Sequence, residues 1–221
     1  MAYPRLLVHL KYLRTTLFYS GMRPFQSIMR KRRMAAFVKN MNLRENSKIL
    51  DLGGQPMIWS SVNNKLDITI LNLPGIAQQH YPSHHNFTYV EGDACNVAGF
   101  ADASFDLVFS NSVIEHVGDE TKQAQFAHEV RRLGRSYWVQ TPSKYFPIEA
   151  HSGMPFWWFY PASVQAYFKV RWRKKLPDWT EMIEETRVLS VPQLKTLFPD
   201  ASIKKERLLG ISKSYVAMHL H

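Results

Sequence analysis

The sequence predicts an α/β fold, a seven-stranded mostly parallel sheet with helices on both faces, and three observations predict it. KILDLGG (48–54) reads as a buried strand ending in an acid and a glycine pair. Four further apolar runs follow, DITILNL (67–73), FTYVEGDA (87–94), FDLVFSNSVIEHV (105–117) and SYWVQTPS (136–143). Each gathers its polar residues at its C-terminal end, where open parallel sheets bind their ligands. The third observation is the C-terminus, where ASIKKERLLG and SYVAMHL supply two closing strands.

Taken in order, a helix is expected over Met22 to Asn40, after Gly21, with RKRR (30–33) on its surface. Ile49, Leu50 and Leu52 bury the first strand. Gly53 and Gly54 then let backbone approach a ligand where a Cβ would clash, the opening of a nucleotide-type cofactor site. Pro56 suits the first position of a short crossover helix, PMIWSSVN. Asp119 to Leu133 places Phe126, Val130 and Leu133 on one helical face, and Gly134 stops it. Val191 to Phe198 gives another short helix. His80, His84 and His85 lie in a polar loop where surface placement is expected.

Composition bounds the rest. A chain of 221 residues with 45% hydrophobic content can bury one sizeable core. The lone cysteine, Cys95, excludes an internal disulfide and a cysteine-based zinc cluster. With no disulfide framework and no recognisable signal peptide, a cytoplasmic location is expected, with membrane association left open. An apolar run of about 18 residues, the length a spanning helix needs, is absent from the sequence.

The formal charge of +10 is uneven, since the first 48 residues hold eleven Lys or Arg against one acid, Glu45. Tyr3, Leu6, Leu7, Leu10, Tyr12, Leu17 and Phe18 are interleaved with them. Such a basic and apolar segment suits a lid over a site, contact with an anionic membrane, or a clamp on an anionic substrate. Thr141 to Lys175 is dense in aromatics, with Phe156, Trp157, Trp158 and Phe159 in succession and prolines at 142, 147, 155 and 161 breaking it into turns. Trp157, Trp158 and Phe159 in succession cannot share one face, so part of the run is expected to line a pocket, meet a second subunit in a homodimer, or touch lipid.

The motifs LDLGG, GDA and FDLVFSNSVIEHV together resemble the class I S-adenosylmethionine-dependent methyltransferases, closest to their methyltransferase type 11 branch. The resemblance covers roughly 45–221. It implies a Rossmann-like sheet with an antiparallel C-terminal strand and S-adenosylmethionine as cofactor. It divides the chain into 1–44, a basic, apolar N-terminal helical segment, and 45–221, a methyltransferase domain with an aromatic substrate insertion at about 144–189. Two departures stand out. The usual D-x-G-x-G-x-G loop is Asp51-Leu52-Gly53-Gly54-Gln55-Pro56, and the acid that grips the ribose hydroxyls is replaced by Asn72. Asn72 lacks the charge that roughly doubles such a bond.

Residue by residue, the resemblance implies that Asp51, Gly53 and Gly54 contact the amino acid part of the cofactor. Asn72 and Leu73 take the ribose and adenine edge. Asp93 accepts from the adenine amino group beside the Ala94 N–H, and Ser110, Asn111 and Ser112 lie under the reactive methyl. A sulfonium methyl is already activated, so transfer needs chiefly an aligned nucleophile. A hydroxyl acceptor would gain from a base, for which His151 and His116 are placed, with Glu149, Phe156, Trp157 and Trp158 on the substrate side. The two histidines permit a metal pair, but two ligands without a third define no site, and no metal is expected.

The expected activity is methyl transfer to an oxygen of a small-molecule acceptor, apolar or amphiphilic: a lipid, lipid-linked sugar or secondary metabolite. GGQPMI is not the G-x-G-x-x-G of a nicotinamide dehydrogenase. Ser110-Asn111-Ser112-Val113 is not the Asn-Pro-Pro-Tyr of a nucleobase amino-methyltransferase, which disfavours nucleic acid as partner. Two alternatives remain: a catalytically degenerate binding or scaffold protein, and other RNA methylation.

Overall fold

The computed structural model describes residues 27–78, 81–149 and 151–221. It divides into two compact units, one of Met1–Asn42 with Ile58–Asn63 and one of Leu43–Met57 with Asn64–His221. In the first, helix α1 is described over 27–41, and Met29, Met34, Phe37 and Met41 form its buried side. Phe37 meets Trp59 edge to face at 5.7 Å. Arg30, Lys31 and Arg32 are exposed. Residues 1–26, most of the expected lid or membrane-contact segment, lie outside the described residues.

The second unit is built on one sheet. Its strands are β1 (Lys48–Leu52), β2 (Asp67–Asn72), β3 (Asn86–Glu91), β4 (Phe105–Asn111), β5 (Gly134–Pro142), β6 (Ser202–Leu208) and β7 (Ile211–His219), in the order β3-β2-β1-β4-β5-β7-β6. From β3 to β5 every neighbour is parallel, while β7 is antiparallel to both β5 and β6. Only β7 therefore runs against the rest, and the sheet is the expected Rossmann-like one. Central β1 and β5 are almost wholly buried, so both read as continuous apolar runs. Edge strand β6 carries Lys204, Lys205, Glu206 and Arg207, charges that discourage pairing with another chain.

The 3-10 helix Pro56–Ser61 follows β1, and helix α2 (Glu120–Leu133) joins β4 to β5. Asp119 caps α2 by accepting from the Lys122 N–H at 3.0 Å. Phe126, Val130 and Leu133 enter a core shared with Leu50, Val108, Tyr137, Leu194 and Phe198. Gly134 is extended, with φ −105° and ψ 137°, and already belongs to β5. A Cβ there would stand 2.6 Å from the Ser136 carbonyl and 2.8 Å from Val108 Cγ2, so glycine serves close packing rather than a left-handed cap.

The insertion differs from the turn-rich segment expected. Turns and the short 3-10 helix Trp157–Phe159 occupy its first part, but Pro161 then starts helix α3 (Ala162–Arg173), paired with α4 (Pro177–Glu185). Proline is tolerated at a helix start because the N–H it lacks has no partner there. Helix α5 (Val191–Leu197) opens with a Ser190/Gln193 capping box and sends Leu194 into the core. His85 is a second correction: it is buried, packed against His84 and Phe87, and not a surface residue. His80 lies outside the described residues.

Candidate active site

The strand order reverses between β1 and β4, and the crevice beyond their carboxyl ends is where this architecture takes a ligand. Gly53 leaves β1 at φ +70°, its N–H donating to the Leu71 carbonyl at 2.8 Å. A Cβ on it would stand 2.6 Å from Val113 Cγ2, just beyond β4, so position 53 requires glycine both for conformation and for space. Gly54 is tighter, since a Cβ there would fall 1.9 Å from the buried Asp51 carboxylate.

The next two strand ends are tied to this loop. Asn72 Nδ2 donates to the Gly54 carbonyl at 3.2 Å, and the Gly92 N–H donates to the Asn72 carbonyl at 2.9 Å. Leu73 follows with its side chain exposed, and Ala94, in the segment after β3, is half-buried. Asp93 accepts from the Cys95 N–H at 2.8 Å and from Lys122 Nζ at 3.3 Å. The Cys95 N–H chiefly, with Lys122, holds its carboxyl below the usual range.

At β4 the predicted residues divide. Ser110 is enclosed and donates to the Leu52 carbonyl at 3.4 Å, so it braces β4 against β1 and does not face a ligand. Ser112 takes a left-handed backbone at φ 58°, and its N–H and hydroxyl both engage Gln140 of β5. Asn111 is half-buried beside it.

Because β4 and β5 are neighbours, the loops that leave them meet. His116 Nε2 lies 2.9 Å from His151 Nε2, and His151 Nδ1 lies 2.8 Å from Glu149 Oε1. Glu149 also accepts from the backbone N–H groups of His151 and Ser152, while His116 Nδ1 is 3.4 Å from Thr186 Oγ1. Thr186 Oγ1 donates to the Met182 carbonyl at 2.7 Å. One proton assignment satisfies the whole chain: a cationic His151 donates to Glu149 and to His116, and neutral His116 donates from Nδ1 to Thr186.

The electrostatics agree with that assignment. Burial first, then the His151 charge, pushes His116 down to about 4. Burial opposes the charge on His151 too, but the Glu149 hydrogen bond and the carboxylates of Glu149 and Glu115 outweigh it and raise the imidazole. Glu149 is likewise held low, its burial outweighed by His151 and the Ser152 N–H. Glu149 was expected on the substrate side; instead it is enclosed and spent on His151 and its own loop. The residue that sequence reasoning missed is Glu115, fully buried next to His116, with Oε2 accepting from Thr141 Oγ1 at 3.0 Å. The acid-histidine adjacency at 115–116 was the available signal.

A cavity of about 620 Å³ opens between α2, the insertion and the segment before α5. Trp157 and Trp158 line it together with Lys144, Lys169, Thr186 and Arg187. Trp157 is also the packing centre of the insertion, against Tyr160, Phe168 and Trp172. Phe156 points outward, 54% exposed, on a left-handed backbone.

Residues 67–136 match the family described as Methyltransferase domain. Among solved structures, the chain is similar to a putative methyltransferase from an antibiotic biosynthesis pathway of Anabaena variabilis, with 20% identity and a TM-score of 0.50, covering 80% of this chain and 64% of that one. It is similar to a chain of the complex between the Haloferax volcanii Trm112 methyltransferase activator and a putative methyltransferase, with 14% identity and a TM-score of 0.57 over 91% and 93% of the two chains. A Haemonchus contortus phosphoethanolamine N-methyltransferase 2 in complex with S-adenosyl-L-methionine shares 14% identity at a TM-score of 0.51, over 79% of this chain and 38% of that one. The chain thus spans under two thirds of the Anabaena and Haemonchus proteins. No match is found among curated proteins.

The sheet order shows a Rossmann-like fold, and within it residues 67–136 carry the match to the methyltransferase domain family. S-adenosyl-L-methionine is the cofactor bound by the Haemonchus protein of this fold. The residues present fit that cofactor. Gly53 and Gly54 leave backbone exposed at the switch point, Leu73 offers an apolar face, and Asp93 keeps an ionised acceptor at the third strand end.

Proposed function

We propose that the protein methylates an oxygen of an apolar or amphiphilic small molecule, such as a lipid, a lipid-linked sugar or a secondary metabolite. The observation that carries this reading is the meeting of the His116 and His151 rings on the loops after β4 and β5, next to the β1/β4 crevice that suits the cofactor. When bound, S-adenosylmethionine supplies an activated sulfonium methyl. The chain's own work is to hold the acceptor oxygen in line with it and to accept the proton that the oxygen loses, worth about 10² to 10⁴ in rate. We assign that acceptor side to His151, positioned by Glu149, and to His116; the cationic His151 of the hydrogen-bonded pair must first release its Nε2 proton before it can take the one the acceptor oxygen loses.

The insertion supports an apolar or amphiphilic acceptor. Trp157 and Trp158 give the cavity apolar walls, and its rim carries charges of both signs, Lys144, Lys169 and Arg187 with Asp119, Glu120 and Glu184, a lining suited to an apolar body with a polar head. Outside it, Tyr145, Phe156 and Phe159 are exposed, as are Val164, Tyr167 and Val170 at helical spacing on α3, near Arg171 and Lys174. An aromatic and basic surface of this kind supports contact with an anionic membrane. Among the described residues no helix is long and apolar enough to cross one.

Calorimetric titration with S-adenosylmethionine and S-adenosylhomocysteine, followed by mass-spectrometric screening of lipid and lipid-linked acceptors, tests the reading. Micromolar binding and a methylated product are expected. His151→Ala should bind the cofactor normally and lose turnover by about 10² to 10⁴. Full turnover in that variant would remove His151 from the mechanism, and absence of cofactor binding would favour a scaffold.

A further inference from the structure

Glu115, His116 and His151 are 36 positions apart at most in the chain, yet the pairing of β4 with β5 brings one ligand atom of each within 4.8 Å of the others. We propose that these three residues form a binding site for a divalent transition-metal ion of the zinc class, with His116 Nε2, His151 Nε2 and the Glu115 carboxylate as ligands. The sequence offered two histidines without a third donor; the fold supplies it from the residue beside His116.

The spacing suits the chemistry. Two imidazole nitrogens each about 2.0 to 2.1 Å from a tetrahedral zinc ion stand roughly 3.3 Å apart, and the two Nε2 atoms here are 2.9 Å apart. Opening that pair by a few tenths of an ångström and turning the Glu115 carboxylate inward would complete the triad. Two histidines and one carboxylate are also the donor set that leaves further coordination positions open, here for water or another oxygen donor.

What separates this cluster from two histidines that merely share a hydrogen bond is the support behind each donor. A metal-bound histidine usually donates its other ring nitrogen to an oxygen, which fixes both tautomer and orientation. His151 Nδ1 faces Glu149 Oε1 at 2.8 Å, and His116 Nδ1 faces Thr186 Oγ1 at 3.4 Å. Glu115 is oriented in turn by Thr141 Oγ1 at 3.0 Å. All three outer partners lie on different segments, after β5, before α5 and within β5, so the surrounding fold holds the donors in place. The His151 side chain keeps 15% of its surface exposed, which gives an ion a way in.

The inference stands on the placement of these donors and not on methyl transfer: an ion on both Nε2 atoms displaces the proton between them and excludes the pair from acting as the base, and the test reads metal binding alone. Chelator-treated protein would be titrated with zinc chloride by calorimetry and with cobalt chloride by visible absorption. One equivalent should bind, and cobalt should give the intense visible bands of a tetrahedral nitrogen and oxygen site without the thiolate charge-transfer band that Cys95 would add. His116→Ala and His151→Ala, checked for folding by circular dichroism, should each weaken binding by at least about a hundredfold. Glu149→Gln, which keeps all three ligands, should weaken it about 10- to 100-fold through the orientation of His151. His84→Asn, on the other histidine pair, should change nothing. Absence of stoichiometric binding to the wild-type chain would overturn the proposal, as would equal binding by the His116 and His151 variants, or an octahedral cobalt spectrum in the wild type. Each of those results would leave the cofactor site untouched.

Discussion

Asn72 at the end of β2 donates its side-chain amide to the carbonyl of Gly54 at the end of β1. The residue that departs from the family's acid is therefore also a brace for the loop that departs from the family's glycine pattern. Its two roles have opposite consequences on substitution. Asn72→Ala removes the brace and any contact with a ribose, and should weaken S-adenosylhomocysteine about three- to tenfold. Asn72→Asp also loses the Gly54 bond, about 0.5 to 1.5 kcal/mol, but a carboxylate on two ribose hydroxyls gains about 1 to 2 kcal/mol. The gain is the larger, so calorimetry should show Asn72→Asp binding a few-fold tighter than the wild type. Weaker binding would mean that the brace dominates.

Gly54→Ala is the sharper probe of the same loop. The added Cβ would fall within 1.9 to 2.5 Å of all three carboxyl atoms of Asp51, so no rotation of the carboxylate about its own axis relieves it. Asp51 is buried, and the strand on which it sits is hydrogen-bonded on both sides, so the loop must give way instead. Cofactor affinity should drop at least tenfold, about 1.4 kcal/mol. Circular dichroism should remain that of the wild type, because the core cluster lies below the loop.

How much of this was legible in the sequence depended on whether the signal was local. Strands β1, β4 and β5 were legible because strands buried on both faces are uninterrupted apolar runs. Helix α2 was legible because Asp119 and the spacing of Phe126, Val130 and Leu133 mark its start and its face. Helix α3 was hidden by Pro161, which reads as a breaker but serves as a start. The roles of Glu115 and Glu149 were hidden for a different reason. Glu115 is decided by Thr141, brought in by the β4 and β5 pairing, Glu149 by the way its own loop folds back on it, and Ser110 turned out to be a brace through the β1 and β4 pairing. Periodicity locates elements, but it does not say which loops will face each other.

Asp93 and Lys122 form an ion pair at 3.3 Å, with both side chains nearly half exposed. Such pairs contribute about 0 to 1 kcal/mol, so Lys122→Ala should leave the urea midpoint almost unchanged. Asp93→Ala removes more, namely the acceptor for the Cys95 N–H at 2.8 Å and the carboxylate proposed to meet the adenine amino group. Cofactor affinity should fall about tenfold or more in Asp93→Ala and less than about twofold in Lys122→Ala. Equal effects would show that the pair, and not the aspartate, matters to the ligand.

Glu129 links stability to pH. Its nearly buried carboxylate accepts from the Val97 N–H at 3.0 Å and from Arg132 at 2.7 and 3.0 Å, while Arg132 donates onward to the carbonyls of Val97 and Phe100. Helix α2 is thereby fastened to the segment that precedes β4. Burial works against the charge, but the Arg132 bonds and the Val97 N–H outweigh it and hold Glu129 below its ordinary value of 4.5. A carboxyl lowered by folding contributes stability that is fully present above the unfolded value and is lost as pH falls through the folded one. Glu129→Gln keeps the shape and removes the charge, so it should cost about 2 kcal/mol in urea unfolding at neutral pH. That gap from the wild type should close as the pH falls below about 4.5 and the native carboxylate takes up its proton. A gap of the same size at neutral pH and in acid would assign the loss to packing rather than to charge.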